Sequence, residues 1–336
     1  MKKIIIAAML FCSAPAFAQI VATTDRGIAV ADHGVVTLYD STLQRIWSVP
    51  ALERVSSIVV GEDRIALLDS WGNQARVIRL ADGSGTTMAT GETPIGAVFH
   101  RRDLIVLERD SRTVSRIDRN GRRTALAVSP DPSFISASAD RIYVYSRAAG
   151  LLQELDARDG LRLARTASLP PFASDLEVSG NAAYLLYPRD ARLAAVNLET
   201  FDAEMTAAGG APSDLAVIRA GSALSPPLIG IADPAAKRVW TTEGAQSVGA
   251  AFGRGFLRGL IGLGLFRPRS SEFPTGVDRI ASAGGVTTVY DSTSGTLYRL
   301  DGQKSRSIGE GVAPQAFAIS SGRVVVWRND ALHWAD

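Results

Sequence analysis

Phe134-Ile-Ser-Ala-Ser138, then Ala139-Asp140-Arg141, then Ile142-Tyr-Val-Tyr145 reads as two β-strands folded back on a tight turn. Apolar, β-branched and aromatic residues alternate with small or polar ones in these runs, and the Asp-bearing triplet between them has turn composition. After a short loop, Leu151-Leu-Gln-Glu-Leu155, a turn from Asp156 to Gly160 and Leu161-Arg-Leu-Ala-Arg165 complete a four-stranded unit. The second strand of that unit recurs along the chain as Ile28 to Asp32, Ile65 to Asp69, Leu104 to Glu108, Ile142 to Ser146, Ala183 to Tyr187, Ile229 to Asp233, Thr287 to Asp291 and Val324 to Arg328. The closing positions lie 37, 39, 38, 41, 46, 58 and 37 residues apart. A period of about 40 residues in β-rich sequence belongs to propeller blades, small sheets that must stack on neighbours to bury both faces.

The expected fold is therefore all-β, a single β-propeller of four-stranded antiparallel blades. The count is eight, and seven with one degenerate repeat is the alternative. Ile20-Val-Ala-Thr-Thr24 aligns with the first strand of the other repeats and Ala331 to Asp336 with a third strand, which leaves the last blade three-stranded. In the alternative closure, residues 19–24 pair as the outer strand of that last blade and remove its open edge.

The strand–Asp–loop–strand–Asp–Gly pattern of Thr287-Thr-Val-Tyr-Asp291-Ser-Thr-Ser-Gly295-Thr-Leu-Tyr-Arg-Leu-Asp301-Gly302 resembles the YVTN, NHL and quinoprotein-like propeller repeats. Val36-Thr-Leu-Tyr-Asp40-Ser-Thr-Leu-Gln-Arg-Ile-Trp47 is similar to a quinoprotein-type repeat in particular. The resemblance covers nearly all of the chain after residue 18 and implies a fold, with envelope assembly factors among the proteins that share it. It departs from pyrroloquinoline-quinone enzymes, whose blades carry a Trp at one recurring strand position. Here Trp47, Trp71, Trp240, Trp327 and Trp334 fall at different places in the repeat, and no adjacent cysteine pair occurs. No cofactor is expected.

Residues 1–18 read as a cleaved signal peptide: Met1-Lys2-Lys3, an apolar run from Ile4 to Phe11, and Ala16-Phe17-Ala18 before a cut at Gln19. The run is too short for a permanent membrane span. Cys12 follows Phe11 rather than a small residue, which argues against a lipoprotein. The propeller domain then covers residues 19–336, in a bacterial periplasm. Cys12 is the single cysteine, so disulfides and thiolate sites are excluded from the mature chain. Removing Lys2 and Lys3 from 36 basic residues leaves 34, against 34 acidic ones. Such a balance argues against nucleic acid as a partner, since backbone binding needs a basic excess.

Asp32, Asp69, Glu108, Asp233 and Asp291 end the second strand in five repeats, so a closed propeller would array them near one mouth of its channel. Oxygen ligands from several blades can hold calcium or magnesium. The local alternative is that each carboxylate caps its hairpin turn by accepting nearby backbone N–H groups, and the recurrence of one residue type favours it. His33, Trp71, Arg109, Arg112, Arg147, Arg189 and Lys237 lie in the following loops, where mixed charge would suit an anionic or mixed-charge partner against the plainer reading of a solvated rim. Of the three histidines, His33, His100 and His333, only His33 is placed at that rim. No HExxH, GxSxG, P-loop or EF-hand pattern occurs, so no catalytic residue is assigned.

Between the sixth and seventh closing positions the spacing stretches to 58 residues, and a Gly-rich apolar insertion at 250–274 is placed between blades six and seven. Phe252, Phe256 and Leu260 are four apart, as are Arg254 and Arg258, so a helix here would carry an apolar and a basic stripe. Residues 250–269 are the expected contact with a partner or a membrane surface, against the plainer reading of a covering loop. The function expected is a non-enzymatic scaffold contacting a periplasmic or envelope protein. The alternative is a divalent-cation-dependent hydrolase, lactonase or lyase acting at the channel mouth.

Overall fold

The structure, a computed structural model, describes residues 20–220, 227–243, 269–301, 304–313 and 316–335. They form eight antiparallel sheets in which spatial order follows chain order. Sheet 1 is β1 (Ile20–Thr24), β2 (Gly27–Asp32), β3 (Val35–Tyr39) and β4 (Arg45–Pro50). Sheet 2 is β5 (Ser57–Val60), β6 (Arg64–Asp69), β7 (Gln74–Arg79) and β8 (Gly85–Ala89). Sheet 3 is β9 (Pro94–His100), β10 (Asp103–Glu108), β11 (Thr113–Ile117) and β12 (Arg123–Ala127). Sheet 4 is β13 (Pro132–Ser138), β14 (Arg141–Ser146), β15 (Leu151–Asp156) and β16 (Arg162–Ser168).

Sheet 5 is β17 (Asp175–Ser179), β18 (Ala182–Tyr187), β19 (Arg192–Asn197) and β20 (Ala203–Ala207). Sheet 6 is β21 (Asp214–Arg219), β22 (Leu228–Asp233), β23 (Arg238–Glu243) and β24 (Arg269–Glu272). Sheet 7 is β25 (Arg279–Ala283), β26 (Val286–Asp291), β27 (Thr296–Asp301) and β28 (Lys304–Gly309). Sheet 8 has three strands, β29 (Phe317–Ser320), β30 (Arg323–Arg328) and β31 (Ala331–Trp334). A 3₁₀ turn at Pro188–Asp190 is the one helical element among the described residues.

Two compact units divide the chain. Unit 1 holds sheets 1 to 4 and sheet 8; unit 2 holds sheets 5 to 7. Within unit 1 the first strands β29, β1, β5, β9 and β13 are successive neighbours, and within unit 2 so are β17, β21 and β25. Each core lies between facing sheets: Val36 and Leu38 of sheet 1 meet Ile65, Leu67 and Ile78 of sheet 2, and Tyr184 and Leu186 of sheet 5 meet Leu215, Ile229 and Ile231 of sheet 6. Successive antiparallel sheets stacked in this way are propeller blades. The turns within a blade are tight enough to demand particular residues. Gly27 opens β2 at φ 147°, and a Cβ there would come within 1.9 Å of the Tyr39 carbonyl oxygen, so only glycine lets β2 lie against β3.

Ile20 to Thr24 is the first strand of sheet 1, paired from Ile20↔Ala31 to Thr24↔Gly27, and not the outer strand of the last blade. The long interval belongs elsewhere than expected. β23 pairs with β24 through Val239↔Ser271 and Trp240↔Ser270, so the extra residues fall between the third and fourth strands of sheet 6, not between blades six and seven. Arg269-Ser-Ser-Glu272 has little β-propensity and reads as linker; its strand state comes from pairing with Val239 and Trp240. Phe252, Arg254, Phe256, Arg258 and Leu260 lie outside the described residues, as do residues 1–18.

Candidate functional site

In unit 1 the loops after the second strands bond to the loops that link one blade to the next. The Thr93 N–H donates to the Asn73 side-chain oxygen at 2.8 Å and the Glu92 N–H to the Ser111 hydroxyl at 2.7 Å. Thr93 Oγ1 donates to Asp110, and the Ala148 N–H donates to Asp131 Oδ2 at 3.1 Å. With the Val128 N–H donating to the Arg112 carbonyl at 2.9 Å, these bonds form one band over sheets 2 to 4 that carries Trp71, Arg109, Arg112 and Arg147.

Their carboxylates are turned inward. Asp69 Oδ1 accepts the N–H groups of Trp71 and Gly72 at 3.0 and 2.7 Å, which fixes the turn and leaves the Trp71 side chain 79% exposed at its apex. Glu108 is 0% exposed. Its Oε1 accepts the Gly91 N–H at 2.6 Å, and its Oε2 accepts the Thr113 and Ser115 hydroxyls at 2.5 and 2.7 Å and Arg123 Nη2 at 2.7 Å. Burial pushes the Glu108 carboxyl up, but the bonds from Arg123, Thr113, Gly91 and Ser115 outweigh it and hold the group below its ordinary value. Asp32 Oδ1 lies 2.7 Å from His33 Nδ1. That hydrogen bond, with the charge of Asp32, raises the imidazole pKa although the ring is exposed. Arg109 and Arg147 are exposed and reach only distantly to Asp110 and Asp131, each at 3.6 Å; Arg112, in the same loop as Arg109, is exposed as well.

Unit 2 repeats the inward use of carboxylates. Asp233 Oδ1 accepts the Ala236 N–H at 3.0 Å, and its Oδ2 accepts the Gly210 N–H at 3.0 Å and Trp240 Nε1 at 3.1 Å. Asp291 accepts the Thr293 N–H at 2.8 Å and the Ser294 hydroxyl at 2.6 Å. In both, desolvation acts upward and the donated bonds prevail, so the pKa is lowered. Arg189 sits exposed in the 3₁₀ turn, and Lys237 Nζ lies 3.5 Å from the Pro274 carbonyl oxygen.

A group that sequence reasoning missed lies on the first strands of unit 2. Asp175 and Glu177 are half-buried on β17, and Asp214 is buried on β21. Asp175 Oδ1 accepts the Leu176 N–H at 2.8 Å and Asp214 Oδ2 the Ile280 N–H at 2.8 Å. The Asp175 and Asp214 carboxyls influence each other's titration. Burial, then the charge of the neighbouring carboxylates, raises both, and Glu177 is pushed up to about 8 by burial and the charge of Asp214. The available signal was Ser174-Asp175-Leu176 and Ser213-Asp214-Leu215, an acid repeated at the head of two first strands. Among the described residues no group of three or more His, Asp or Glu has the geometry to hold a metal ion.

Opposite chemistry marks the other end of sheet 3, where a hollow of about 430 Å³ is lined by Arg101, Arg102, Asp103, Arg116, Asp118 and Arg119 among others. Arg116 is bound to Asp103 at 2.5 Å, and Asp118 caps its own turn through the Asn120 and Arg122 N–H groups.

No protein-family model and no curated protein matches the sequence. Solved structures do match. BamB from Moraxella catarrhalis is similar at TM-score 0.62 and 14% identity, over 93% of this chain and 91% of its own. Virginiamycin B lyase from Staphylococcus aureus is similar at TM-score 0.58 and 11% identity, over 83% and 94%. The computationally designed Ika8 protein is similar at TM-score 0.67 and 10% identity, over 97% and 98%. A lyase and a designed protein within one likeness carry no common activity. What the likeness establishes is the fold, and this chain is a β-propeller.

Proposed function

We propose that this protein is a non-enzymatic interaction scaffold of the bacterial periplasm, holding an envelope protein against the loop band of unit 1. One observation carries the reading. Asp69 and Glu108 direct their oxygens onto this chain's own amides, hydroxyls and Arg123, while Trp71, Arg109, Arg112 and Arg147 project outward. An exposed Trp beside arginines is the composition of a binding hot spot, and the guanidinium groups suit carboxylates on the partner. The location rests on the leader read in residues 1–18, and residues 250–269 supply a second contact with the partner or with an anionic membrane surface.

Crosslinking in envelope extract tests both contacts. A Trp71→Ala, Arg109→Ala double variant is expected to keep its melting temperature and lose the wild-type adduct. Replacing residues 251–266 by a Gly-Ser linker is expected to keep the fold and weaken sedimentation with anionic vesicles. Unchanged adducts in the first variant and unchanged vesicle binding in the second would sink the two contacts separately.

A second reading is a divalent-cation-dependent hydrolase, lactonase or lyase acting at the channel mouth. It requires a stoichiometric calcium or magnesium ion in the purified protein and a melting temperature that chelation lowers. Absence of both leaves the scaffold.

A further inference from the structure

Sheet 8 ends at β31, and among the described residues no fourth strand pairs with it. The register is Val326↔His333 and Arg328↔Ala331, and the Ala335 N–H donates to the Val324 carbonyl at 2.9 Å. Antiparallel alternation therefore commits Ala331, His333 and Ala335 to β30 and turns the N–H and C=O groups of Leu332 and Trp334 away from the sheet.

Sheet 1 is the neighbour. Thr23 Oγ1 donates to the Ile319 carbonyl at 2.7 Å, and the Tyr39 and Trp327 rings lie 6.3 Å apart. The two faces of sheet 1 differ in how far outward they are covered. Toward sheet 2, Trp47 and Val49 of the outer strand pack on the core. Trp47 Nε1 donates to the Leu80 carbonyl at 3.1 Å, and a Cβ on Gly83 would meet both side chains. Toward sheet 8, Val21, Ile28 and Val30 are buried, but Val35 is 41% and Ile46 48% exposed. Ile46 belongs to the outermost strand, β4, the counterpart of the fourth strand that sheet 8 lacks among the described residues, and Val35 to β3 beside it. Exposed apolar side chains and an unfinished sheet edge, two independent features, converge on one slot.

Arg45, at the start of β4, is exposed and has no carboxylate partner among the described residues. The Arg323 guanidinium lies 4.1 Å over the Trp334 ring. We propose that an extended segment of a partner protein docks in this slot as the fourth strand of sheet 8, antiparallel to β31. Its backbone pairs with Leu332 and Trp334. Its alternate side chains are apolar and cover Val35 and Ile46. An acidic residue near its N-terminal end meets Arg45, because a strand antiparallel to β31 begins beside Trp334. The slot shares no residue with the Trp71 band and stands whether or not that band binds anything.

The probe is a fluorescein-labelled peptide, Glu-Ile-Thr-Val-Thr-Val, titrated by anisotropy against the full chain. Saturable binding is expected, weakened about tenfold or more by Ile46→Asp and several-fold by Arg45→Glu, and unchanged by Trp71→Ala. Ile46 and Arg45 are exposed, so melting temperatures should hold in both variants. Independently of any variant, methylating the alternate peptide amides that face β31 should abolish binding. Hydrogen exchange at Leu332 and Trp334 should be fast in the free chain and slow with peptide bound. No saturable binding, or binding indifferent to both Ile46→Asp and amide methylation, overturns the proposal. So does protection of the Leu332 and Trp334 amides in the free monomer, which would mean that this chain's own residues fill the slot. A dimer in sedimentation that Ile46→Asp dissociates would assign the slot to a second copy instead.

Discussion

Glu108 shows how a residue that reads as a binding group can be a structural one. Its position at the end of β10 was legible from the repeat, as were those of Asp69, Asp233 and Asp291. Its partners were not, because Gly91, Thr113, Ser115 and Arg123 come from the preceding loop and from two later strands of the blade. Replacing Glu108 by Ala leaves the buried hydroxyls and the half-buried Arg123 without their acceptor, and should cost on the order of 3 kcal/mol. Asp69→Ala removes two backbone acceptor bonds at a partly exposed turn and should cost about 1 kcal/mol. Urea melts of the two variants rank them, and a Glu108→Ala midpoint equal to wild type would show that the cluster contributes nothing net. The acids on β17 and β21 escaped notice for a related reason. In a strand whose side chains alternate, an isolated Asp passes for the solvent-facing position, and only the neighbouring blade reveals that it is buried against another carboxyl.

At the scale of the element, eight repeats of one strand motif gave the strand order and eight as the leading blade count, because each blade solves the same packing problem with the same period. They left open whether Ile20 to Thr24 opens the first blade or closes the last, which the pairing with β2 decides. What the repeat could not reveal was a strand without strand-like residues. β24 is Arg269-Ser-Ser-Glu272, and its identity depends on Val239 and Trp240 across the ladder rather than on propensity. β1 is the converse case, apolar and β-branched, and its loss has a definite consequence. Deleting residues 19–25 strips the inner edge of sheet 1, uncovers Ala29 and Ala31, and removes the neighbour of both β5 and β29. The cost should be several kcal/mol, a large share of a typical domain's stability, and circular-dichroism melting should register it as a strongly lowered transition. A variant that melts with the wild type would mean that β1 is dispensable to unit 1.

For the molecule as a whole, the opposed titrations within unit 2 set a pH at which it is most stable. Asp233 and Asp291 have pKa values lowered by donated hydrogen bonds. Their contribution is present above the unfolded carboxylate value near 4 and is lost as pH falls through the folded values below it. Asp175, Glu177 and Asp214 have raised values, with Glu177 near 8. Between about 4 and 8 the folded state therefore holds protons that the unfolded chain has released, so stability declines as pH rises through that window. The two trends leave a maximum on the mildly acidic side, about pH 5, and a fall toward pH 8 of roughly 1.4 kcal/mol per pH unit for each carboxyl still protonated in the folded state. Glu177→Gln keeps the shape, cannot ionise, and should flatten the alkaline side while leaving stability at pH 5 nearly unchanged. Thermal melts of wild type and variant from pH 4 to 8 make the comparison. A wild-type melting temperature that rises steadily to pH 8, or a Glu177→Gln profile that parallels it, would mean that these carboxyls are ionised and solvated in the folded protein, and that the first strands of unit 2 carry no buried proton.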